Sequence, residues 1–293
     1  MRILNYGSIN VDHVYKVTHI VRPGETLSSR ELSFFAGGKG ANQSVALSRA
    51  GIEVWHAGKI GEDGRWILED LQKRGVKTDL IRISKGTTGH AIIQVTDQGE
   101  NSIVLFGGEN RNVTTEEINE TITKFSAGDY LVLQNEINGT PDIIKKAHKR
   151  GMKICLNPAP FSADILSWPL NLVDILIVNE TEAMGLVGME LAFPEVINKL
   201  TTTYPDTEII MTAGKQGAYF GMNDERAFSP VRDAVVVDTT AAGDTFLGYY
   251  ISARMRGLDA KAAMDEASLA SSIAVSRPGA MDSIPKYTEL QNI

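Results

Sequence analysis

Short apolar runs alternate with longer amphipathic segments along most of the chain. The apolar runs predict buried strands at 2–7, 54–60, 130–135, 153–158, 174–179 and 208–213. The amphipathic segments predict helices at 39–50, 64–74, 115–124, 141–150, 180–187 and 194–203, and two closing helices at 244–256 and 260–275. This alternation indicates an α/β fold in which helices cover both faces of a mostly parallel sheet.

Two stretches depart from that alternation. Residues 12–35 and 88–106 carry strand patterns without a helix between them. The sequence TDQGEN at 96–101 has the composition of a hairpin turn between two alternating strands. We therefore expect a small antiparallel sheet that forms a lid over the main sheet.

Composition excludes several classes of partner. The 293 residues carry a net charge of −7 and no run of Lys or Arg, which argues against nucleic acid as the main partner. No apolar run approaches the roughly 20 residues of a membrane span, and the first residues do not resemble a signal peptide. The single cysteine, Cys155, lies in a predicted strand and cannot form an internal disulfide, so we expect a cytoplasmic protein.

The stretch DTTAAGDTF at 238–246 sets two alanines and a glycine directly before Asp244, at the start of a predicted helix. An acid in the first turn of a helix offsets the positive end of the helix dipole. Alternatively, the bare backbone N–H groups of Ala241, Ala242 and Gly243 bind an anion such as phosphate. The acid would then take a proton from the group that attacks that phosphate. These nine residues alone leave both interpretations open.

Four further motifs stand next to predicted strand ends or helix starts. They are GSINVDH (7–13), AGGKGANQS (36–44), NETE (179–182) and TAGKQGA (212–218). The last two have adequate structural explanations, a helix capping box and a hairpin turn. Asn10 and Asp12 would suit sugar hydroxyls, because α/β proteins bind ligands at the carboxyl ends of parallel strands. The second motif has three glycines in four residues, more than a loop before a helix needs, but it matches neither a P-loop nor the dinucleotide fingerprint.

In this order along the chain, seven motifs resemble those of the ribokinase (PfkB-type) carbohydrate kinase family. They are GSIN-DH, GGKGANQ, TGHA, NPAP, NETE, DTTAAGDTF and RPGA, between about Gly7 and Pro285. The resemblance implies a three-layer α/β/α sandwich with a small β-sheet lid, in one kinase domain over residues 1–293. It also implies transfer of the γ-phosphoryl group of ATP to a sugar hydroxyl, with D-ribose to D-ribose 5-phosphate as the expected reaction.

The resemblance assigns roles to particular residues. Asp244 would be the base, and the backbone N–H groups of Ala241, Ala242 and Gly243 would stabilise the transferring phosphoryl group. The residues expected to bind the sugar are Asn10, Asp12, Gly38, Lys39, Asn42, Glu136 and Asp244. Those expected to border ATP are Asn179, Thr212, Gly214, Gly217 and Gly243.

The same resemblance implies two metal sites and a dimer. Asn179 and Glu182 would order water around Mg²⁺. A monovalent cation, K⁺, would be bound by Asp238, Thr240, Ala274, Arg277, Gly279 and Ser283. We expect a homodimer that forms through the lid, with the sugar and ATP as small-molecule partners.

Two positions depart from the family pattern. His90 replaces a small or apolar residue in TGHA, and it could disturb the strand that carries Ala91 and Ile93, which together with Leu105 could contact the sugar. Glu136 lies in altered surroundings. Another pentose such as 2-deoxyribose, fructose or a related keto-sugar, or a nucleoside, remains an alternative substrate. A catalytically inactive sugar-binding protein and a NAD-linked dehydrogenase are alternatives of another class; the retained Asp244 and the missing third glycine, respectively, argue against them.

Overall fold

Thirteen strands form two separate sheets. The computed structural model describes residues 1–291. The strands are β1 (Ile3–Tyr6), β2 (Asn10–Val17), β3 (Glu31–Gly37), β4 (Val54–Gly61), β5 (Lys77–Ser84), β6 (Gly89–Thr96), β7 (Asn101–Phe106), β8 (Tyr130–Gln134), β9 (Lys153–Asn157), β10 (Ile175–Asn179), β11 (Glu208–Thr212), β12 (Ala218–Met222) and β13 (Glu225–Ser229).

The main sheet has nine strands in the order β13-β12-β11-β10-β9-β8-β1-β4-β5. The strands from β11 to β5 are parallel, and β12 and β13 add an antiparallel edge. All six predicted strands are confirmed. The sequence analysis did not predict β5, an edge strand whose polar residues interrupt the apolar run that marks the central strands.

The helices are α1 (Lys39–Arg49), α2 (Arg65–Lys73), α3 (Thr115–Ile122), α4 (Thr140–Lys149), α5 (Glu180–Val187), α6 (Phe193–Thr203), α7 (Ala242–Met255), α8 (Ala260–Val275) and α9 (Tyr287–Leu290). The eight predicted helices are confirmed, with ends that differ by no more than two residues. None of the helices within residues 1–291 is long and apolar enough to cross a membrane.

Both faces of the main sheet are buried beneath helices, because neighbouring side chains on a strand point to opposite faces. On β1, Ile3 belongs to the core that contains residues of α1, α2, α7 and α8, whereas Leu4 belongs to the core that contains residues of α3, α4 and α6. Cys155 is fully buried on β9, as predicted. The expected three-layer architecture is therefore confirmed.

Helices α1 and α7 pack against each other at very short range. A Cβ atom added to Gly248 would lie 2.5 Å from the Cβ of Ala46 and 2.9 Å from the backbone nitrogen of Leu47. Only glycine permits this approach, which brings the second half of α1 against the middle of α7.

The second sheet is the predicted lid, with the order β3-β2-β6-β7. Its outer pairs, β2–β3 and β6–β7, are antiparallel, and TDQGEN joins β6 to β7 as expected. The central pair, β2–β6, is parallel, so the lid is a mixed sheet rather than a wholly antiparallel one. The chain can form this parallel pair because it passes through α1, β4, α2 and β5 between the two strands.

Candidate functional site

The candidate site lies where β1 leads into the lid and the lid leads back into α1. The residue before α1, Gly38, has a φ of +92°, a conformation that favours glycine. Gly40 approaches the end of β1 so closely that an added Cβ would lie 2.4 Å from the backbone nitrogen of Ser8. Two of the three glycines in this motif are thus required by the junction itself.

Asp244 is buried in the first turn of α7, with 7% of its surface exposed. One carboxylate oxygen accepts a hydrogen bond from Asn42 Nδ2 at 3.2 Å, and the other accepts one from Gln43 Nε2 at 2.9 Å. Because Asn42 and Gln43 lie on α1, the close packing of α1 and α7 holds the carboxylate in place. This geometry leaves further lone pairs of the carboxylate available to accept a proton.

The residues before Asp244 have an unusual backbone. Ala241 has a φ of +59°, which is uncommon for a residue other than glycine and costs conformational energy. Apart from its chain neighbours and the nearby backbone of α7, no atom of the described residues would lie within 4 Å of a Cβ atom added to Gly243. The protein's own packing therefore does not require glycine at 243, and the bare backbone suits the close approach of a ligand.

Two carboxylates, Asp12 and Glu136, lie near each other on the lid side of the site. Burial, followed by the negative charge of Glu136, raises the pKa of Asp12 to about 6. Gly37 leaves room for Asp12, since an added Cβ would lie 2.0 Å from its Oδ2. Glu136 Oε2 accepts hydrogen bonds from the Ser8 hydroxyl and, at 3.1 Å, from the Lys39 backbone N–H. Glu136 therefore belongs to this constellation despite its altered sequence surroundings.

Lys39 lies among the acidic groups of the site. Burial alone would lower the pKa of its ammonium group, but Asp244, Glu136 and Glu182 outweigh burial and raise it. Lys39 therefore offsets part of the negative charge of these three carboxylates. A cation in this position also suits an anionic ligand.

Asn10 is buried at the start of β2 and is fixed by a residue that the sequence analysis did not identify. Asn110 Nδ2 donates to Asn10 Oδ1 at 2.8 Å and to the backbone oxygen of Ile9 at 3.1 Å, and its Oδ1 accepts from Ile9 N. This arrangement occupies the oxygen of Asn10 and leaves its amide hydrogens as the groups that can meet a ligand.

A second group of predicted residues lies at the ends of β10 and β11. Asn179 and Thr212 are direct partners in the parallel ladder. Asn179 and Glu182 form the predicted capping box: Asn179 Oδ1 accepts from Glu182 N at 2.9 Å, and Glu182 Oε2 accepts from Asn179 N at 3.0 Å. Burial raises the pKa of Glu182, although hydrogen bonds and Lys39 oppose that shift.

The glycines of TAGKQGA form the turn between β11 and β12, as their sequence suggests. Gly214 and Gly217 have positive φ angles of +46° and +86°, and the Ala213 N–H donates to the Gly217 oxygen at 2.8 Å. An added Cβ at Gly217 would lie 2.3 Å from the Ser229 oxygen. The turn therefore explains both glycines without a ligand.

Asp238 joins two of the segments expected to bind a monovalent cation. Its Oδ1 accepts from the Thr240 N–H at 2.8 Å and its Oδ2 from the Gly279 N–H at 3.0 Å. The Arg277 guanidinium pairs with Glu289 at 2.6 Å, so only the carbonyl oxygen of Arg277 could serve a cation. The Ser283 hydroxyl donates to the Ala280 oxygen, and Ala274 is fully buried.

The lid presents two different faces near the site. Ala91 pairs with Asp12 and Leu105 pairs with Ala91, so these three side chains share one face. His90 belongs to the opposite face, where its ring lies 5.6 Å from that of His13. The register of β6 is continuous through His90, so His90 does not displace Ala91 from that face.

The predicted residues thus form two adjoining groups and one separate group. The group around Asp244 and the group around Glu182 meet at Lys39 and at Gln43. The separate group is the one expected to bind a monovalent cation, and its residues Asp238 and Thr240 lie directly before α7. The sequence analysis did not assign Ser8, Gln43, Asn110, Gln134 or Asn157. Three of these, Ser8, Gln43 and Asn157, do lie within the quoted motifs GSIN-DH, GGKGANQ and NPAP.

Comparison with known proteins gives consistent matches over the whole chain. Residues 2–287 match the family described as pfkB family carbohydrate kinase. The chain is 36% identical over 292 residues to a ribokinase of Haemophilus influenzae, with 97% of this chain and 95% of that protein aligned.

Two solved structures are similar over nearly their full length. A ribokinase from Cryptococcus neoformans var. grubii in complex with ADP has a TM-score of 0.86 and 34% identity, covering 99% of this chain and 98% of that chain. An Arabidopsis thaliana ribokinase complexed with ribose and ATP has a TM-score of 0.87 and 26% identity, covering 99% and 97%.

Proposed function

The chain belongs to the pfkB family of carbohydrate kinases, and from this premise we propose that it transfers the γ-phosphoryl group of ATP to the 5-hydroxyl of D-ribose. The choice of ribose is supported by the ribokinase of Haemophilus influenzae and by the Arabidopsis ribokinase complexed with ribose and ATP. The observation that carries the proposal is the buried carboxylate of Asp244, held by two amide donors beside an open glycine backbone.

The sugar would bind between the end of β1 and the start of α1. Asp12 and Glu136 offer carboxylate oxygens, and Asn10 offers amide hydrogens. Asn42 Oδ1 is buried and has no hydrogen-bond partner within residues 1–291, so a sugar hydroxyl would satisfy it. Lys39 and the backbone at Gly38 complete the proposed sugar site. Such groups discriminate strongly, because an analogue without the matching hydroxyl leaves them unpaired.

The phosphoryl transfer would depend on position and charge more than on covalent chemistry. Asp244 would accept the proton of the attacking hydroxyl. The backbone N–H groups of Ala241, Ala242 and Gly243 would stabilise the charge on the transferring group, as donors at a helix start do. The lid would exclude water, which otherwise competes as the phosphoryl acceptor.

ATP would lie against the ends of β10 and β11, bordered by Asn179, Thr212 and the turn from Gly214 to Gly217. Asn179 and Glu182 suit Mg²⁺, because Glu182 is a buried carboxylate and oxygen donors are what this ion prefers. Residues 1–291 contain no cluster of three acidic, His or Cys side chains that could cage an ion, so these residues would bind its water shell. Bound Mg²⁺ would supply charge neutralisation on the phosphates.

K⁺ would be bound between the Asp238 segment and the loop after α8. Asp238 already joins Thr240 to Gly279, and the carbonyl oxygens of Ala274 and Arg277 and the Ser283 hydroxyl are donors of the type that K⁺ uses. An ion there would stiffen the segment that leads into Ala241.

The remaining proposals concern the whole chain. It would act as one kinase domain with its lid, in the cytoplasm, as a homodimer that forms through the lid. The dimer is supported by exposed apolar side chains of the lid, among them Phe34 at 55% and Val104 at 65% exposure.

A substrate panel tests the proposed function. ATP consumption should be measured with D-ribose, 2-deoxyribose, fructose and a nucleoside, and the product should be identified by phosphorus NMR. We expect the highest kcat/KM for D-ribose and a phosphate on its 5-oxygen. Preference for another acceptor would replace ribose in the proposal, and no turnover with any of them would refute it.

A further inference from the structure

A hydrogen-bond network of buried polar side chains extends from Asp244 into the main sheet. Gln43 donates to Asp244 Oδ1 at 2.9 Å, and its Oε1 accepts from Gln134 Nε2 at 2.6 Å. The same Gln134 nitrogen donates to Asn5 Oδ1 at 3.0 Å. Gln43, Gln134 and Asn5 are fully buried.

A second branch fixes Gln43 from the other side. Gln43 Nε2 also lies 3.2 Å from Asn157 Oδ1, so both of its amide hydrogens have acceptors. Asn157 Nδ2 donates to the Ile177 oxygen at 2.9 Å and to Glu182 Oε2 at 3.3 Å. Since a backbone carbonyl and a carboxylate only accept, Asn157 must turn its oxygen towards Gln43.

At the Asn5 end of this network, each hydrogen bond also has a defined donor and acceptor. Asn5 Nδ2 donates to the Gly40 oxygen at 2.7 Å and to Ser44 Oγ at 2.9 Å. Ser44 can therefore donate its own hydrogen to His56 Nδ1 at 2.7 Å. Burial lowers the pKa of His56 to about 4, so the ring is neutral at physiological pH and its Nε2–H faces the Gly7 oxygen at 3.3 Å.

Every side-chain amide in this network therefore has one favourable orientation. If Gln43 turned over, its oxygen would face the Asp244 carboxylate and its nitrogen would face the donor of Gln134. A carboxylate that receives an N–H donor is favoured in its ionised form, and one that faces an oxygen is disfavoured. Asn157 also disfavours the turned-over orientation of Gln43, and Gln134 disfavours it because its N–H would then face another N–H.

We propose that Gln43 is a positioning residue that holds the Asp244 carboxylate aimed for proton transfer, and that Gln134 helps to fix the orientation of Gln43. This inference rests on the proposed function, since it assumes that Asp244 is the base. Neither glutamine need touch the sugar or ATP for this role.

The test compares one replacement at both positions. Gln43→Met removes the donor to Asp244 and keeps an unbranched side chain of similar length. The loss of one charge-assisted hydrogen bond should lower kcat by roughly 10- to 100-fold, with little change in the KM for ATP. The acid-side midpoint of the kcat–pH profile should move up by about one pH unit. Gln134→Met should shift both quantities in the same direction, by less.

The double variant gives the sharpest outcome. If Gln134 acts through Gln43, Gln43→Met with Gln134→Met should have the pH midpoint of Gln43→Met alone, because coupled residues are not additive. Additive shifts would overturn the role of Gln134. Should Gln43→Met not fold, Gln43→Asn replaces it, since the shorter amide cannot span from Gln134 to Asp244.

Ser44→Ala is the matched control from the same buried network. It removes hydrogen bonds, but Asn5 stays oriented by the Gly40 oxygen, so the melting temperature should fall while the pH midpoint stays unchanged. Unshifted pH midpoints in the Gln43 and Gln134 variants, together with an inactive Asp244→Asn, would overturn this inference alone. Full activity of Asp244→Asn would instead overturn the proposed base and this inference together.

Discussion

Replacing Asp244 by asparagine separates its proposed role as a base from its place in the first turn of α7. The new side chain has one acceptor oxygen, which can keep the bond from Gln43. Its amide nitrogen would face Asn42, whose own Oδ1 is buried without a partner within residues 1–291. The amide of Asn42 can turn over and accept from the new nitrogen, so the site exchanges one unpartnered polar atom for another.

The expected effects on catalysis and on stability therefore differ widely. General-base catalysis contributes roughly 10²- to 10⁴-fold, or about 3–5 kcal/mol at 1.36 kcal/mol per factor of ten. The lost interaction with the helix dipole is worth about 0.3–1 kcal/mol. In a chain of this size, that corresponds to a decrease of no more than about 2–4 °C in melting temperature.

Steady-state ATP consumption with D-ribose gives kcat, and calorimetric titration of the sugar gives its affinity. Asp142→Asn is the matched control, because Asp142 is the third residue of α4 as Asp244 is of α7, and both helices follow a residue with positive φ. The control should lose a little stability and no activity. A kcat of Asp244→Asn within threefold of the wild type would refute the base and leave only the helix-dipole role.

Three further predictions follow from the site and the lid. The pKa of Asp12 is about 6 in the folded protein and 3.8 in the free side chain, so ionisation of Asp12 destabilises the fold as the pH rises through 6. Asp12→Asn should therefore raise the melting temperature at pH 8 but not at pH 3. An equal change in melting temperature at both pH values would contradict the raised pKa of Asp12. Activity should be higher in K⁺ than in tetramethylammonium at equal ionic strength, and Asp238→Ala should abolish that difference; equal wild-type rates in both salts would remove the K⁺ proposal. Sedimentation at micromolar concentration should give a dimer for the wild type and a monomer for Val104→Lys, and a monomeric wild type would count against the lid interface.

Local sequence patterns predicted the parts of the structure that depend on residues close together in the sequence. The strands and helices of the main domain follow from the periodicity of apolar residues, and the capping box of Asn179 and Glu182 follows from their spacing of three residues. The direction of β2 relative to β6 could not be predicted in this way, because about 70 residues separate strands whose patterns are compatible with either pairing.

The interior of the site was less accessible to sequence reasoning. Gln43 lies 201 residues from Asp244 and 91 from Gln134, so no local spacing connects them. In the sequence, Gln43 is only the last residue of the motif GGKGANQ, with no role of its own. Glu136 lies 128 residues from Ser8 and 97 from Lys39, so its place beside them depends on the fold. Such polar networks are defined by three-dimensional satisfaction of donors and acceptors, which depends on the fold.

Because Gly248 packs so closely on Ala46, a substitution at Gly248 would affect catalysis without touching the site. Gly248 lies one helical turn, roughly 6 Å along the axis, beyond Asp244 and on the side away from the sugar. A single methyl group there would meet Ala46 at 2.5 Å and force α7 away from α1, carrying the carboxylate from its amide donors. A substitution at Gly248 would thus inactivate the enzyme although every side chain of the site keeps its identity.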